Sequence, residues 1–118
     1  MSTDGRHEST YRASYATLVV RHDDDLIRIA ARGEIDLTAS AALDQVIEDV
    51  ARRLDGPSQP VMLDMSAVAF LDAAGIPFVQ SLVDLTEKAR TQFGIQDPPA
   101  HVRRLLTIVG MNDYITGA

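Results

Sequence analysis

The stretch Leu63-Asp64-Met65-Ser66-Ala67-Val68-Ala69-Phe70-Leu71-Asp72-Ala73-Ala74-Gly75 decides the fold. Its first residues close an almost wholly apolar run, 61–65, the composition expected of a strand covered on both faces. A short apolar linker then leads to Asp72-Ala73-Ala74-Gly75, an Asp-x-x-Gly turn that opens a helix. Such a turn presents unpaired backbone N–H groups and the positive end of the helix dipole at the surface, a setting that suits a phosphate. The turn itself carries no hydroxyl, because positions 73 and 74 are both alanine.

Downstream, residues 74–90 carry apolar side chains at helical spacing, with Ile76, Val79, Leu82, Val83 and Thr86 on one face. Pro77 falls in the first turn, where a missing N–H is harmless. Residues 92–96 predict a short strand around Phe93 and Ile95. Asp97 is the expected N-cap of a third helix through Val109, with Val102, Leu105, Leu106 and Val109 facing inward and Gly110 as its stop.

Upstream, residues 15–22 and 26–35 predict two strands joined by Asp23-Asp24-Asp25, an antiparallel hairpin. Residues 38–54 then align Ala39, Leu43, Val46, Ile47, Val50 and Leu54 in one stripe, with Thr38 as the expected N-cap. Gly56-Pro57-Ser58-Gln59-Pro60 ends that helix. Residues 1–13, rich in Ser, Thr and charge, are expected to form a flexible N-terminal tail, and 14–118 a single domain. The order β-β-α-β-α-β-α predicts an α/β fold, a mixed sheet of four to five strands with helices packed on it.

Composition narrows the function. A chain of 118 residues with 46% hydrophobic content suits one domain with a real core. A net charge of -6 argues against binding a nucleic-acid backbone, which wants a basic face. Cysteine is absent, which excludes disulfides and Cys-ligated metal. No apolar run approaches the ~20 residues of a membrane span, and residues 1–15 lack the apolar core of a secretory leader; the expected setting is cytoplasmic. The Asp23–Asp25 cluster lacks the spaced ligands of a calcium loop, and His7, His22 and His101 lie in separate segments, so no metal site is expected. Without a Gly-rich phosphate loop, nucleophile elbow or paired catalytic carboxylates, neither cofactor nor catalytic residue is expected.

Three motifs in order carry a family resemblance: Gly33-Glu34-Ile35-Asp36-Leu37-Thr38; Asp64-Met65-Ser66 followed by Asp72-Ala73-Ala74-Gly75; and Ala100-His101-Val102-Arg103-Arg104-Leu105-Leu106 with Gly110-Met111. Together they resemble the signature of STAS domains of the bacterial anti-sigma factor antagonist type, across roughly residues 14–116. The resemblance implies the STAS fold and a protein that performs no chemistry. Such a protein binds an anti-sigma factor, a serine kinase, and so frees a sigma factor. The resemblance puts the usual phosphoacceptor at Ala74, and a partner-binding surface at Asp36, Asp72, Ala73, Ala74, Gly75 and Ile76, with Pro77 extending an apolar rim.

Alanine cannot accept a phosphate, so this chain is not expected to be switched at position 74. A naturally non-phosphorylatable relative and a Ser→Ala replacement both fit. Ser66, the remaining hydroxyl near the turn, is a candidate secondary phosphosite; its plain alternative is a bond to local backbone. For Asp36 and Asp72 the plain alternative is capping of their own helices. Two further roles stay open. One is a non-switching scaffold or accessory subunit, as in stressosomes or lipid transporters. The other is a small nucleotide-binding protein or enzyme, since the resemblance also admits weak nucleotide binding.

Overall fold

Six strands lie in chain order across one sheet in the computed structural model, which describes residues 7–23 and 25–116. They are β1 (His7–Arg12), β2 (Ala16–His22), β3 (Ile27–Ile35), β4 (Val61–Leu71), β5 (Phe93–Gln96) and β6 (Ile115–Thr116). β1, β2 and β3 pair antiparallel. β3–β4, β4–β5 and β5–β6 pair parallel. Parallel neighbours need a crossover, and three helices supply them: α1 (Ser40–Leu54), α2 (Ile76–Lys88) and α3 (Ala100–Ile108). The α/β class and the mixed sheet agree with the sequence; the described strands number six rather than four to five.

The strands alternate, and the alternation places one core. Leu18 and Val20, Ile27 and Ile29, Leu63 and Met65, and Ile95 are buried on one face of the sheet, and along β2, β3 and β4 they alternate with half-exposed or exposed neighbours. They form a single cluster with Val46 and Val50 of α1, Val79 and Leu82 of α2, and Val102 and Leu106 of α3. The hairpin closes because Asp23 Oδ1 accepts the amides of Asp25 (2.9 Å) and Leu26 (3.1 Å), the self-bonding that makes Asp a turn residue. Gly33 holds φ at 89°, and a Cβ there would stand 2.2 Å from the Tyr15 carbonyl oxygen, so only glycine fits.

Several expectations are corrected. The segment after Met65 is no linker: β4 runs on to Leu71, paired with β3 through two register shifts. Burial falls on Met65, Val68 and Leu71, with two exposed residues in each interval. Bulges thus replace the period of two with one of three and disguise the strand. Residues 7–12 of the expected tail are strand β1; residues 1–6 lie outside the described residues. The cap of the first helical segment is Asp36, not Thr38. Asp97 caps nothing: α3 starts at Ala100, after Pro98 and Pro99, with no side-chain cap. Val109 is exposed rather than inward, because α3 stops at Ile108. Gly110, at φ 81°, does follow the helix end as a left-handed stop.

The core assignment makes a measurable claim. Leu82→Ala removes a fully buried side chain and should cost about 2–5 kcal/mol. Val109→Ala should cost less than about 0.5 kcal/mol, as exposed positions do. Denaturant midpoints of the two variants give the comparison.

Candidate functional site

Two short segments with the same design leave neighbouring strands side by side. β3 and β4 run parallel with Ile35 opposite Leu71. The next residues, Asp36 and Asp72, are therefore adjacent, and the Asp72 amide donates to the Ile35 carbonyl at 3.4 Å. Each aspartate has extended backbone, and each Oδ1 accepts the amide two residues on: Thr38 N–H for Asp36 and Ala74 N–H for Asp72, both at 2.9 Å. The Thr38 hydroxyl donates to the same Asp36 oxygen at 2.5 Å. Each cap starts a 3-10 turn, 37–39 and 73–75, that leads into α1 or α2. Both carboxylates thus satisfy otherwise orphaned helix amides.

The turns lie where they do because Gly75 is small. It is buried, and a Cβ on it would stand 2.4 Å from Leu71 Cδ1 and 3.1 Å from Ile35 Cγ2. Its φ of -85° is ordinary, so the requirement is space, not conformation. Pro77 occupies the first turn of α2, as the sequence predicts. Between the two helix starts runs a groove of about 200 Å³. Ser40, Asp44 and Ile47 of α1 line one side, and Ala74, Pro77 and Ser81 the other.

The residues expected to meet a partner divide in two. Ala73, Ala74 and Pro77 are exposed, and Asp36 and Asp72 are half-buried beside them. Gly75 is buried and Ile76 packs against the core, so these two shape the surface from beneath. Sequence reasoning missed Leu37, which directly follows the Asp36 cap and is 75% exposed. No sequence signal marked it, because its exposure follows from Asp36, rather than Thr38, capping the 3-10 turn. Ser66 is not at this site. It sits exposed on β4, its amide bonded to Asp64 Oδ1 at 2.9 Å. It borders a separate hollow with Thr17, Val19, Ala30 and Arg32, the half-exposed and exposed positions of β2 and β3.

The arrangement offers a small apolar surface, Leu37, Ala73, Ala74 and Pro77, rimmed by the exposed carboxylate of Asp44. Among the described residues, no group of three or more His, Asp or Glu side chains could hold a metal ion. Nor is any helix there long and apolar enough to cross a membrane.

Comparison with known proteins gives this geometry a setting. The family model described as "STAS domain" matches residues 17–118. A crystal structure of an anti-sigma factor antagonist from Mycobacterium paratuberculosis is 26% identical, with a TM-score of 0.70 over 87% of this chain and 86% of that one. The anti-sigma factor antagonist SpoIIAA in its unphosphorylated form is 14% identical, with a TM-score of 0.69 over 95% of this chain and 88% of that one. SLC26A9, 15% identical at a TM-score of 0.64, aligns with 99% of this chain, which spans only 23% of that protein. The two likenesses at 14% and 15% identity speak for the fold.

The caps carry their own test. Asp72→Ala and Asp36→Ala should each cost about 0.5–2 kcal/mol, because each strands a helix amide. Gly75→Ala should cost about 1–3 kcal/mol by forcing Leu71 and Ile35 aside. Chemical denaturation of the three variants checks both claims.

Proposed function

Because the chain belongs to the STAS domain family, we propose that it is an anti-sigma factor antagonist. In this reading it binds an anti-sigma factor of the serine-kinase kind in the cytoplasm and so releases a sigma factor, without catalysing a reaction itself. The observation that carries the reading is the Asp72–Gly75 turn, with Ala73 and Ala74 exposed, set beside Asp36 at the head of the α1–α2 groove. The antagonist from Mycobacterium paratuberculosis, similar over most of both chains, supports it.

Asp36, Asp72, Ala73, Ala74 and Leu37 form the centre of the contact, with Pro77 as its rim. Ala74 stands where the family's phosphoacceptor would be. A phosphate there would add roughly two negative charges next to Asp72 and Asp36 and across the groove from Asp44. Alanine keeps the surface neutral at that point, as in a dephosphorylated form, and leaves binding without this switch. Ser66, on the border of another hollow, is a weaker candidate for modification by a kinase seated on the turn. A second reading, a non-switching STAS scaffold or transporter-linked domain, draws on the same alanine and on the likeness to SLC26A9.

Affinity capture from the source cells, read by mass spectrometry, separates the two. A kinase-like anti-sigma factor supports the first reading, and a transporter subunit or a scaffold assembly the second. With that kinase and ATP, the chain with Ala74 should stay unmodified and Ala74→Ser should gain one phosphate. Ala74→Glu should lose about 2–5 kcal/mol of affinity, because it buries an unpaired charge in the contact. Its stability should hold or rise slightly, because an acid at a helix start is favourable. Calorimetric titration paired with a melting curve measures both; unchanged affinity with a normal melt would remove the turn from the interface.

A further inference from the structure

β1 lies before the family match, which begins at residue 17, and it adds little to the core. None of its side chains is buried; only Ser9 and Tyr11 are half-buried. Besides its ladder with β2 and the packing of Tyr11 against the edge of the core, three side-chain contacts hold it among the described residues. Glu8 pairs with Arg21 at 3.3 Å, an exposed ion pair of the kind that contributes little. The Tyr11 hydroxyl donates to Asp49 Oδ2 at 2.6 Å. The His7 ring stacks on His22, with centroids 4.8 Å apart and planes 7° from parallel.

Beneath these contacts lies a charged cluster. Asp49 of α1 is only 1% exposed. Its Oδ1 stands 2.8 Å from Arg53 Nε, a close ion pair in which the N–H is not aimed for a hydrogen bond. Arg52 lies 3.9 Å from the same oxygen. Arg53 Nη1 in turn contacts His22 Nε2. A guanidinium only donates, so Nε2 must offer its lone pair. The contact thus fits a neutral His22 in the tautomer with the proton on Nδ1.

Protonation would turn Nε2 from acceptor to donor. The Arg53 contact would be lost, and a new cation would sit between a guanidinium and the His7 ring. We propose that His22 is a proton-sensitive latch, whose protonation releases β1 and bares the outer edge of β2 while the rest of the domain stays folded.

The groups facing His22 are Arg53 and Asp49 from α1, His7 from β1, and Asp23 of the hairpin turn, whose carbonyl accepts from Gln59 at 2.5 Å. Burial, then Arg53 and His7, lower the His22 pKa; Asp49 and Asp23 pull the other way. The net direction is downward, so the released form takes up the proton more readily. The docked state is thus fully favoured above the ordinary histidine value of ~6.5 and weakens as pH falls below it. The bared β2 edge would present unpaired backbone groups open to another strand.

Amide hydrogen exchange on the intact chain tests the latch, with protection factors compared at about pH 7.5 and about pH 5.5, either side of the ordinary histidine value. Protection of the β1 amides should fall severalfold at the lower pH, while that of β3 and β4 holds. In His22→Gln the amide oxygen can accept from Arg53 but does not titrate, so β1 should stay protected at both pH values. Equal β1 protection at both pH values in the unaltered chain would overturn the proposal, as would an undiminished acid effect in His22→Gln. Nitrogen-15 shifts of His22 give an independent reading: the Nδ1–H tautomer supports the latch, and the Nε2–H tautomer defeats it.

Discussion

The parallel pairing of β3 with β4, with Ile35 set beside Leu71, is the constraint on which the rest of the molecule depends. It brings two aspartates to the same end of the sheet, one strand apart. Each aspartate caps the segment that follows it, so α1 and α2 leave the sheet together and lie next to one another on its buried face. The groove between them is a by-product of that shared departure. The approach is close enough that Gly75 has no room for a methyl group. Backbone pairing thus makes the surface, and side chains decorate it.

The acids of this chain divide by what they touch. Asp36 and Asp72 are consumed by their own helix amides, which spreads their charge into the backbone. Asp49 is buried against Arg53 and Tyr11 and serves the edge of the sheet. Asp44 faces the groove from an exposed position on α1. A net charge of -6 therefore says little about any one surface. The exposed residues of the paired turns, Leu37, Ala73 and Ala74, are apolar, so a single added charge would change that surface sharply.

Where periodicity was clean, the fold was legible. The stripes of α1 and α2, the hairpin and the run 61–65 all became the elements they predicted. Three signals failed for different physical reasons. The bulged half of β4 exposes residues in pairs, so no period of two survives. β1 is mostly polar because it lies at an edge and fully buries no side chain; its anchor, Tyr11, finds its partner 38 residues away. Thr38 looked like a cap because it begins the apolar stripe, but Asp36 reaches the amide first and takes the threonine hydroxyl as well. At the site, the motif located the turn and the neighbouring aspartate. It could not say that Ile76 points inward or that Leu37 stays out, since both follow from how the 3-10 turns enter their helices.

The two bulges of β4 set a length. From Ile27 to Ile35 the chain takes eight steps along β3, while its partner takes ten from Val61 to Leu71. The surplus is stored in residues exposed on both sides of Val68. Loss of one residue there would draw Asp72 back by about 3.3 Å and turn its side chain to the opposite side, leaving the helix composition untouched while parting the two caps. Apart from the buried Val68, the stretch 66–70 is thus a spacer whose residue count, more than its chemistry, is under constraint. At its exposed positions, 66, 67, 69 and 70, substitutions should be absorbed far more readily than single-residue insertions or deletions.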